Sequence, residues 1–428
     1  MIAIATLLAL GAQAQVEISL GQAVAWARDS AATTRLARSR SAESEEKARE
    51  VGTHLMPSLE FSAGHMIRSY NFLTGGVGFG DMAPRVPYYS MQDVRMSVEA
   101  PLLAPAAWKG AQAAREMSKA RQADQASVGE DAALRGSLAW VELSRAQALE
   151  KDREEALSLA RDLERMALDQ KISGSASGLD VLRAQAQVVA SQRALAAAGY
   201  ARLKASLGLA RELGFDGTDS LRAAGSLSMA PVADRVATDS DAVRVRAAQA
   251  FRTAAAADVQ GARARFLPSL ALAADYGWSG DYGWNEKGKN PLPKDGEWAG
   301  QVGLFLRWSV WDGGGDDARL AQSRERERQA EIGLAEAKRQ SRLDRDDAAK
   351  LVSSTREQLV LAERLSTLAD SQLVLARERF AEGASGNLEV VQAQGERNSA
   401  HAAWIEAAGA HQAALSRRRW AEGDWNGI

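Results

Sequence analysis

The chain has 428 residues, and its composition favours helix over strand. It is rich in alanine, contains 9 prolines and has 6% aromatic residues, a combination that excludes an all-β protein. With 53 basic and 55 acidic residues the formal net charge is -2, so no excess of positive charge is available to attract nucleic acid. Cysteine is absent, which excludes disulfides, thiolate metal sites and a lipidated N-terminal cysteine.

The N-terminal segment is uncharged and apolar and ends in Ala12-Gln13-Ala14, a pattern typical of a signal-peptidase site. We therefore interpret residues 1–14 as a signal peptide, although the usual positively charged start is missing. The alternative interpretation is a buried N-terminal segment. No later stretch reaches the roughly 18 to 20 consecutive apolar residues that a membrane-spanning helix needs.

Two motifs recur at nearly the same offset, which indicates an internal duplication. The segment 56–59, Met-Pro-Ser-Leu, returns as Leu-Pro-Ser-Leu at 267–270, and the segment 174–185 returns at 383–394. The offsets are 211 and 209 residues, too similar for coincidence in an alanine-rich sequence. We therefore divide the chain after residue 14 into two repeats, 15–225 and 226–428.

Each repeat has the same order of predicted elements. A charged, alanine-rich helix, 20–53 or 240–265, ends just before the Pro-Ser-Leu motif. Two runs of alternating apolar and polar residues follow, the pattern of strands with two different faces. Glycine- and proline-containing stretches at 74–89 and 279–297 are interpreted as loops between the strands. We predict four strands, too few to close a barrel alone, at about 57–72, 92–103, 268–280 and 299–311.

Proline-free helical patterns follow the strand pairs, at about 105–173 and 316–382. At 1.5 Å per residue each would form a rod on the order of 100 Å long. Leucines seven residues apart, at 361, 368 and 375, indicate the seam of a coiled coil. Each rod meets a turn, with glycines at 174 and 178 or at 383 and 386, and then a return helix. The return helices are expected at about 179–208 and 388–420. The predicted fold is mainly α with a small β portion.

No motif supports catalysis. The glycine-rich run 75–80 lacks the lysine that follows in a phosphate-binding loop. The four histidines have no pair spaced by three or four residues, as two metal ligands on one helix face would be. We predict neither an enzyme nor a metal or cofactor site. The histidines are His54, His65, His401 and His411.

Tryptophans surround the second predicted strand pair. A bilayer-spanning strand carries aromatic residues at the two membrane interfaces, so this clustering favours membrane strands. The alternative is ordinary packing between two sheets. The five residues are Trp278, Trp284, Trp298, Trp308 and Trp311.

The sequence resembles the TolC family of outer-membrane efflux proteins. The resemblance lies in the duplicated halves, the two Pro-Ser-Leu motifs, the Trp-Asp-Gly-Gly sequence at 311–314 and the two hairpin motifs. The resemblance implies a homotrimer in the lipid of the bacterial outer membrane. In this homotrimer, four strands per subunit would close a twelve-stranded barrel that continues as a barrel of helices into the periplasm. It also implies a passive exit duct for a tripartite efflux pump or a type I secretion system. Such a duct is joined by a periplasmic adaptor protein to an inner-membrane transporter.

The resemblance also implies functional positions at the periplasmic ends of the helical hairpins. The turns at Gly174, Gly178, Gly383 and Gly386 correspond to the adaptor-docking tips. An acidic constriction corresponds to Glu389 and Asp180, with Gln392 and Arg183 one helical turn further. Some relatives close this end with a tyrosine and an arginine, but the corresponding residues here are Phe380 and Ser385, so any latch is made differently.

The competing hypothesis is a periplasmic or cell-surface coiled-coil structural protein whose strand pairs form a soluble cap. The sequence does not indicate whether the cargo is a drug, a metal ion, a solvent or a polypeptide.

Overall fold

The structure, a computed structural model, describes residues 16–71, 85–174, 176–215, 221–225, 227, 242–283 and 296–425. The predicted signal peptide and Trp284 lie outside these residues. The helices are α1 (Leu20–Ser30), α2 (Ala32–Thr53), α3 (Pro105–Ile172), α4 (Gly178–Leu213), α5 (Val243–Ala264), α6 (Gly315–Ala381) and α7 (Asn387–Glu422). The strands are β1 (Val16–Ile18), β2 (Ser58–Asn71), β3 (Arg85–Leu103), β4 (Leu221–Ala223), β5 (Ser269–Gly283) and β6 (Glu297–Arg307). The predicted fold class, mainly α with a small β portion, is confirmed.

The chain forms two compact units. The sheet unit comprises Ala42–Ala120 and Ala250–Ile332. The hairpin unit comprises Met1–Ser41, Arg121–Gln249 and Gly333–Ile428.

The sheet unit contains one four-stranded antiparallel sheet in the order β2-β3-β5-β6. The central pair, β3 with β5, joins a strand of the first predicted repeat to a strand of the second. β2 and β6 are the edge strands and have 14 and 11 residues. Among the described residues each edge strand has a partner on one side only.

The strand boundaries differ most from the prediction at two places, and β5 also runs three residues past its predicted end, to Gly283. β3 begins at Arg85, inside the stretch 74–89 that was interpreted as a loop, because its pairing with β2 continues to Asn71. A β-bulge interrupts this ladder near Pro87, which has no N–H to donate, so the proline is tolerated. β6 ends at Arg307 rather than near residue 311, because its last partner is Ser269, the first residue of β5.

Four strands were predicted, but six are present in the described part of the chain. The additional strands, β1 and β4, have three residues each and pair in parallel in the hairpin unit. Three residues are too few to produce an alternating pattern that sequence analysis could detect.

The predicted helix 20–53 is two helices. Ala31 separates them with an extended backbone, ψ 143°, and is itself buried. Since alanine is the best helix former, packing rather than local preference makes this break. The return helix α4 also runs past Gly208, its predicted end, to Leu213. It stops at Gly214, whose φ of 76° is the left-handed geometry of a helix C-terminus.

The α6 helix has its coiled-coil seam at a different register from the one predicted. Leu361, Leu368 and Leu375 are more than half exposed. The buried stripe has the same seven-residue spacing but lies two residues earlier, at Leu359, Ser366, Leu373 and Phe380. Buried alanines at 369 and 376 accompany this second stripe and allow close helix approach. The period was therefore predicted correctly and the face was not.

Buried His411 makes the hairpin unit sensitive to acid. It lies on α7, and its Nδ1 is 3.1 Å from the hydroxyl oxygen of Thr355 on α6. Burial, with a smaller contribution from the positive charge of Arg356, lowers the pKa of His411 below its ordinary value. The folded protein therefore favours the neutral ring, whereas the unfolded chain takes up a proton below about pH 6.5.

We expect the free energy of unfolding to fall as the pH decreases through the ordinary histidine range. His411→Leu should make this loss smaller between about pH 7 and pH 5, measured by urea unfolding of the detergent-solubilised protein. His54→Gln, which changes an exposed histidine, is the matched control. If His411→Leu and the wild type have the same pH dependence, His411 is not the cause.

Candidate functional site

The four-stranded sheet has one apolar face. Alternation along each strand, combined with the pairing register, brings most of the larger apolar side chains of the four strands to the same side, although Met66 and Phe305 lie on the other. Many of them are exposed, although such residues are normally covered. They include Leu59, Phe61, Ile67, Met96, Val98, Leu272, Tyr276, Val302, Leu304 and Leu306.

The opposite face carries the charges. Side chains are described for strand residues 58–67, 91–103, 269–280 and 297–307, and every aspartate, glutamate and arginine among them lies on this one face. We name this the polar face. Its charged residues are Glu60, Asp93, Arg95, Glu99, Asp275, Glu297 and Arg307.

Aromatic residues mark the two ends of β6. At its start Trp298 stacks on Tyr276 with ring centroids 5.4 Å apart, and it lies directly opposite the half-buried Trp278. Trp308 and Trp311 follow the end of the strand and are exposed. The indole N–H of Trp308 donates to the carbonyl oxygen of Phe266 at 3.1 Å. The predicted aromatic positions therefore separate into two groups.

In the hairpin unit the first turn joins α3 to α4. Gly174 has a φ of 81°, so a glycine is required there, whereas Gly178 is already the first residue of α4. Ser177 caps α4, and its backbone N–H and its hydroxyl donate to the Asp180 carboxylate at 3.1 and 2.6 Å. These bonds, the hydroxyl first, lower the pKa of Asp180 below its ordinary value, and the guanidinium of Arg183, 3.6 Å away, also lowers it.

The second turn joins α6 to α7 and differs at the cap. Gly383 has a φ of 72°, and Gly386 is the N-cap residue without a side chain to accept a hydrogen bond. Glu389, which occupies the position of Asp180 in the other hairpin, is instead 3.3 Å from a guanidinium nitrogen of Arg379. Gln392 is exposed one turn further along α7. Each predicted tip carboxylate therefore has an arginine beside it.

Two side-chain amide contacts that sequence analysis missed tie the hairpins together. Asn387 is fully buried at the start of α7, and its Nδ2 donates to the Asp180 carbonyl oxygen at 2.7 Å. A second bond has its donor in the first hairpin: Gln170 Nε2 of α3 donates to the Phe380 carbonyl oxygen of α6 at 3.0 Å. Phe380 itself packs in a cluster formed by residues of both hairpins. The asparagine directly after the glycine turn could have been noticed in the sequence. Its partner could not, because Asp180 lies 207 residues away in the chain.

A charge cluster deeper in the hairpin unit was also missed. Arg397 of α7 is 8% exposed and lies within 3.2 to 3.5 Å of three carboxylates, Asp152 and Glu155 of α3 and Asp370 of α6. Burial raises the pKa of Asp152, and the charge of Arg397 opposes that effect. Arg397 therefore bridges three helices, α3, α6 and α7.

No helix in the described part of the chain is long and apolar enough to cross a membrane.

Solved structures show which class of protein has this fold. A membrane protein from Pseudomonas aeruginosa superposes with a TM-score of 0.78 at 19% identity, covering 96% of this chain and 92% of that one. The outer membrane protein VceC from Vibrio cholerae has a TM-score of 0.76 at 17% identity, covering 95% and 96%. The CmeC outer membrane channel from Campylobacter jejuni has a TM-score of 0.78 at 15% identity, covering 94% and 85%. The fold is that of outer-membrane channels.

The family comparison is more specific. Residues 241–417 match the family model described as outer membrane efflux protein, so this part of the chain is such a domain. Comparison with curated protein sequences finds no match. The resemblance to the TolC family is confirmed as far as residues 241–417 match this family model and the fold is that of outer-membrane channels.

The two faces of the sheet predict opposite tolerance of a positive charge. Leu304→Arg places a cation on the apolar face and should reduce the amount of protein inserted in the outer membrane, because such a charge costs about 2 to 4 kcal/mol near the bilayer centre. Gln301→Arg, three residues earlier on the polar face, should insert like the wild type. Quantitative immunoblotting of outer-membrane fractions measures both. Equal tolerance of the two arginines would mean that the apolar face does not contact lipid.

Proposed function

We propose that three copies of this chain form a passive exit duct through the outer membrane, which receives cargo from a periplasmic adaptor and an inner-membrane transporter. The observation that carries this proposal is the two-faced sheet. An exposed apolar face suits lipid. The opposite face, which holds all the charged side chains described for the four strands, suits a water-filled passage.

The unpaired edges of the sheet support closure by further copies. β2 and β6 present a row of backbone N–H and C=O groups without partners among the described residues, and such groups are costly in lipid. Pairing β6 of one copy with β2 of the next would satisfy both edges. Three copies of four strands would then give the twelve-stranded barrel that the resemblance implies.

Exposed apolar stripes on the helices also support association. The leucines of α6 at 361, 365, 368 and 375 are more than half exposed. α4 carries a comparable stripe, with Leu179, Leu182 and Val189 each more than half exposed. Both stripes keep the spacing of coiled-coil contacts, so neighbouring copies could cover them.

The spacing of the aromatic groups matches the thickness of a membrane. Trp298 and Trp308 are ten residues apart, about 33 Å along an extended strand. At a strand tilt of about 40° this is roughly 25 Å along the membrane normal, the height of the apolar band in outer-membrane barrels.

The hairpin turns are the proposed docking sites for the adaptor. Gly174, Gly383 and Gly386 are exposed, and Ile172 beside the first turn is 85% exposed. An exposed isoleucine at a helix end suits a partner that covers it.

The first turns of α4 and α7 are the proposed periplasmic constriction. Asp180, Arg183, Glu389 and Gln392 are partly or fully exposed there, while Val181 and Val390 between them are buried. Because Arg183 and Arg379 lie beside the two acids, the negative field would be moderate. The carboxylates would favour cations over anions in a confined passage.

We expect Asp180→Ala combined with Glu389→Ala to reduce cation selectivity and block by multivalent cations added from the periplasmic side, measured in planar bilayers. Asp180 is also the N3 residue of the α4 capping box, where it accepts hydrogen bonds from Ser177, so its loss should lower stability as well. Glu357→Ala, which changes an exposed acid elsewhere on α6, is the control. Unchanged selectivity and block in assembled double-variant channels would leave Asp180 with its capping-box contacts only and Glu389 with its ion pair to Arg379 only.

A further inference from the structure

The polar face is organised in rows across the four strands. Cross-strand partners form rows, each separated from the next by two residues, about 6.7 Å; three consecutive rows carry five charged residues, and an adjacent row adds Glu99. The first row is Glu60, Ser97, Asp275 and Gln301; the second is Ser62, Arg95, Gly277 and Ala299; the third is Gly64, Asp93, Ser279 and Glu297. An arginine row therefore lies between two rows with two carboxylates each.

Arg95 is held flat against the sheet. One guanidinium nitrogen donates to Asp275 of the neighbouring strand at 2.6 Å, and another donates to Asp93 of its own strand at 3.2 Å. With Asp275 only 15% exposed, the guanidinium is fixed to a carboxylate that itself has little freedom. The side chain consequently runs along the wall rather than across the passage.

Gly277 makes room for this arrangement. It lies directly opposite Arg95, and a Cβ at this position would be 2.9 Å from the Arg95 Cα and 2.6 Å from the Val94 carbonyl oxygen. Any larger residue would therefore push the two strands apart or displace the arginine. The position of Arg95 therefore depends on residues of both β3 and β5.

We propose that these three rows form a second charge-selective stretch of the passage, separate from the helical tips, which favours cationic solutes, and that Arg95 limits the strength of that preference. The inference rests on the proposed duct, in which the polar face lines the passage. Four carboxylates and one arginine per chain leave a net negative wall, and in a narrow aqueous pore fixed charges of one sign enrich the opposite ion.

The test is the ratio of cation to anion permeability, taken from reversal potentials in planar bilayers under a potassium chloride gradient. Arg95→Gln should raise the ratio about two- to fivefold, and Asp275→Asn should lower it by a similar factor. The double variant, which restores the net charge, should return to near the wild-type ratio. Both shifts should shrink at about 1 M salt, where the screening length is roughly 3 Å.

Two comparisons separate charge selection from a purely structural ion pair. Arg339→Gln, which removes an exposed arginine paired with Glu336 in the hairpin unit, should leave the ratio unchanged. If Arg95 only holds β3 to β5, all three sheet variants should lose assembly or heat stability without opposite shifts in the ratio, and that result would overturn the inference.

The outcomes also separate this inference from the proposed duct. Wild-type protein that conducts, with the same permeability ratio in Arg95→Gln and Asp275→Asn, would overturn the charge-selective stretch and leave the duct intact. Wild-type protein that forms no conducting channel would overturn the duct, and the charge-selective stretch with it.

Discussion

Backbone hydrogen bonding at the edges of the sheet is the constraint on which the rest of the structure depends. A four-stranded sheet with an apolar face can serve a membrane only if β2 and β6 find partners, and one chain does not supply them among its described residues. The separation of charged and apolar residues onto opposite faces of the sheet follows from the same closure. A polar face is useful when it encloses water, and an apolar face is tolerated when lipid covers it.

The sheet could be predicted largely from sequence because each of its faces leaves a signal of period two. The alternation of Val302, Leu304 and Leu306 with Gln301, Gly303 and Arg307, interrupted only by Phe305, placed these side chains on one face, and the pairing register agrees. The start of β3 could not be predicted. Its first residues include Pro87, which is normally a sign of a loop, and only pairing with the far end of β2 makes them a strand.

The helices illustrate a different limit. Leucines at period seven on α6 predicted a coiled coil, but two stripes of the same period lie side by side on that helix. The buried one, which includes Leu373 and Phe380, is selected by the helices that pack against it. Local sequence also could not reveal that Asn387 contacts the Asp180 carbonyl oxygen or that Arg397 meets three carboxylates, because those partners are brought together only by the fold.

The two hairpin turns, which carry the repeated sequence motif, differ in a physically simple way. Ser177 has a hydroxyl that engages Asp180, whereas Gly386 has no side chain, so Glu389 lies beside Arg379 instead. Two carboxylates at equivalent positions therefore have different surroundings. The sequence located both acids, but a single residue at each N-cap determines what each acid contacts.

The pairing of β3 with β5 also has a consequence for the order of folding. All of residues 104–268, including the α3 and α4 helices, lie between these two central strands. Bringing together strands so far apart in sequence carries a large loop-closure entropy, which a preformed helical hairpin reduces by shortening the effective loop. The helices should therefore form first, and the apolar strands should remain unpaired until the hairpin closes. During that interval the chain exposes its most aggregation-prone surface, the unpaired apolar strands.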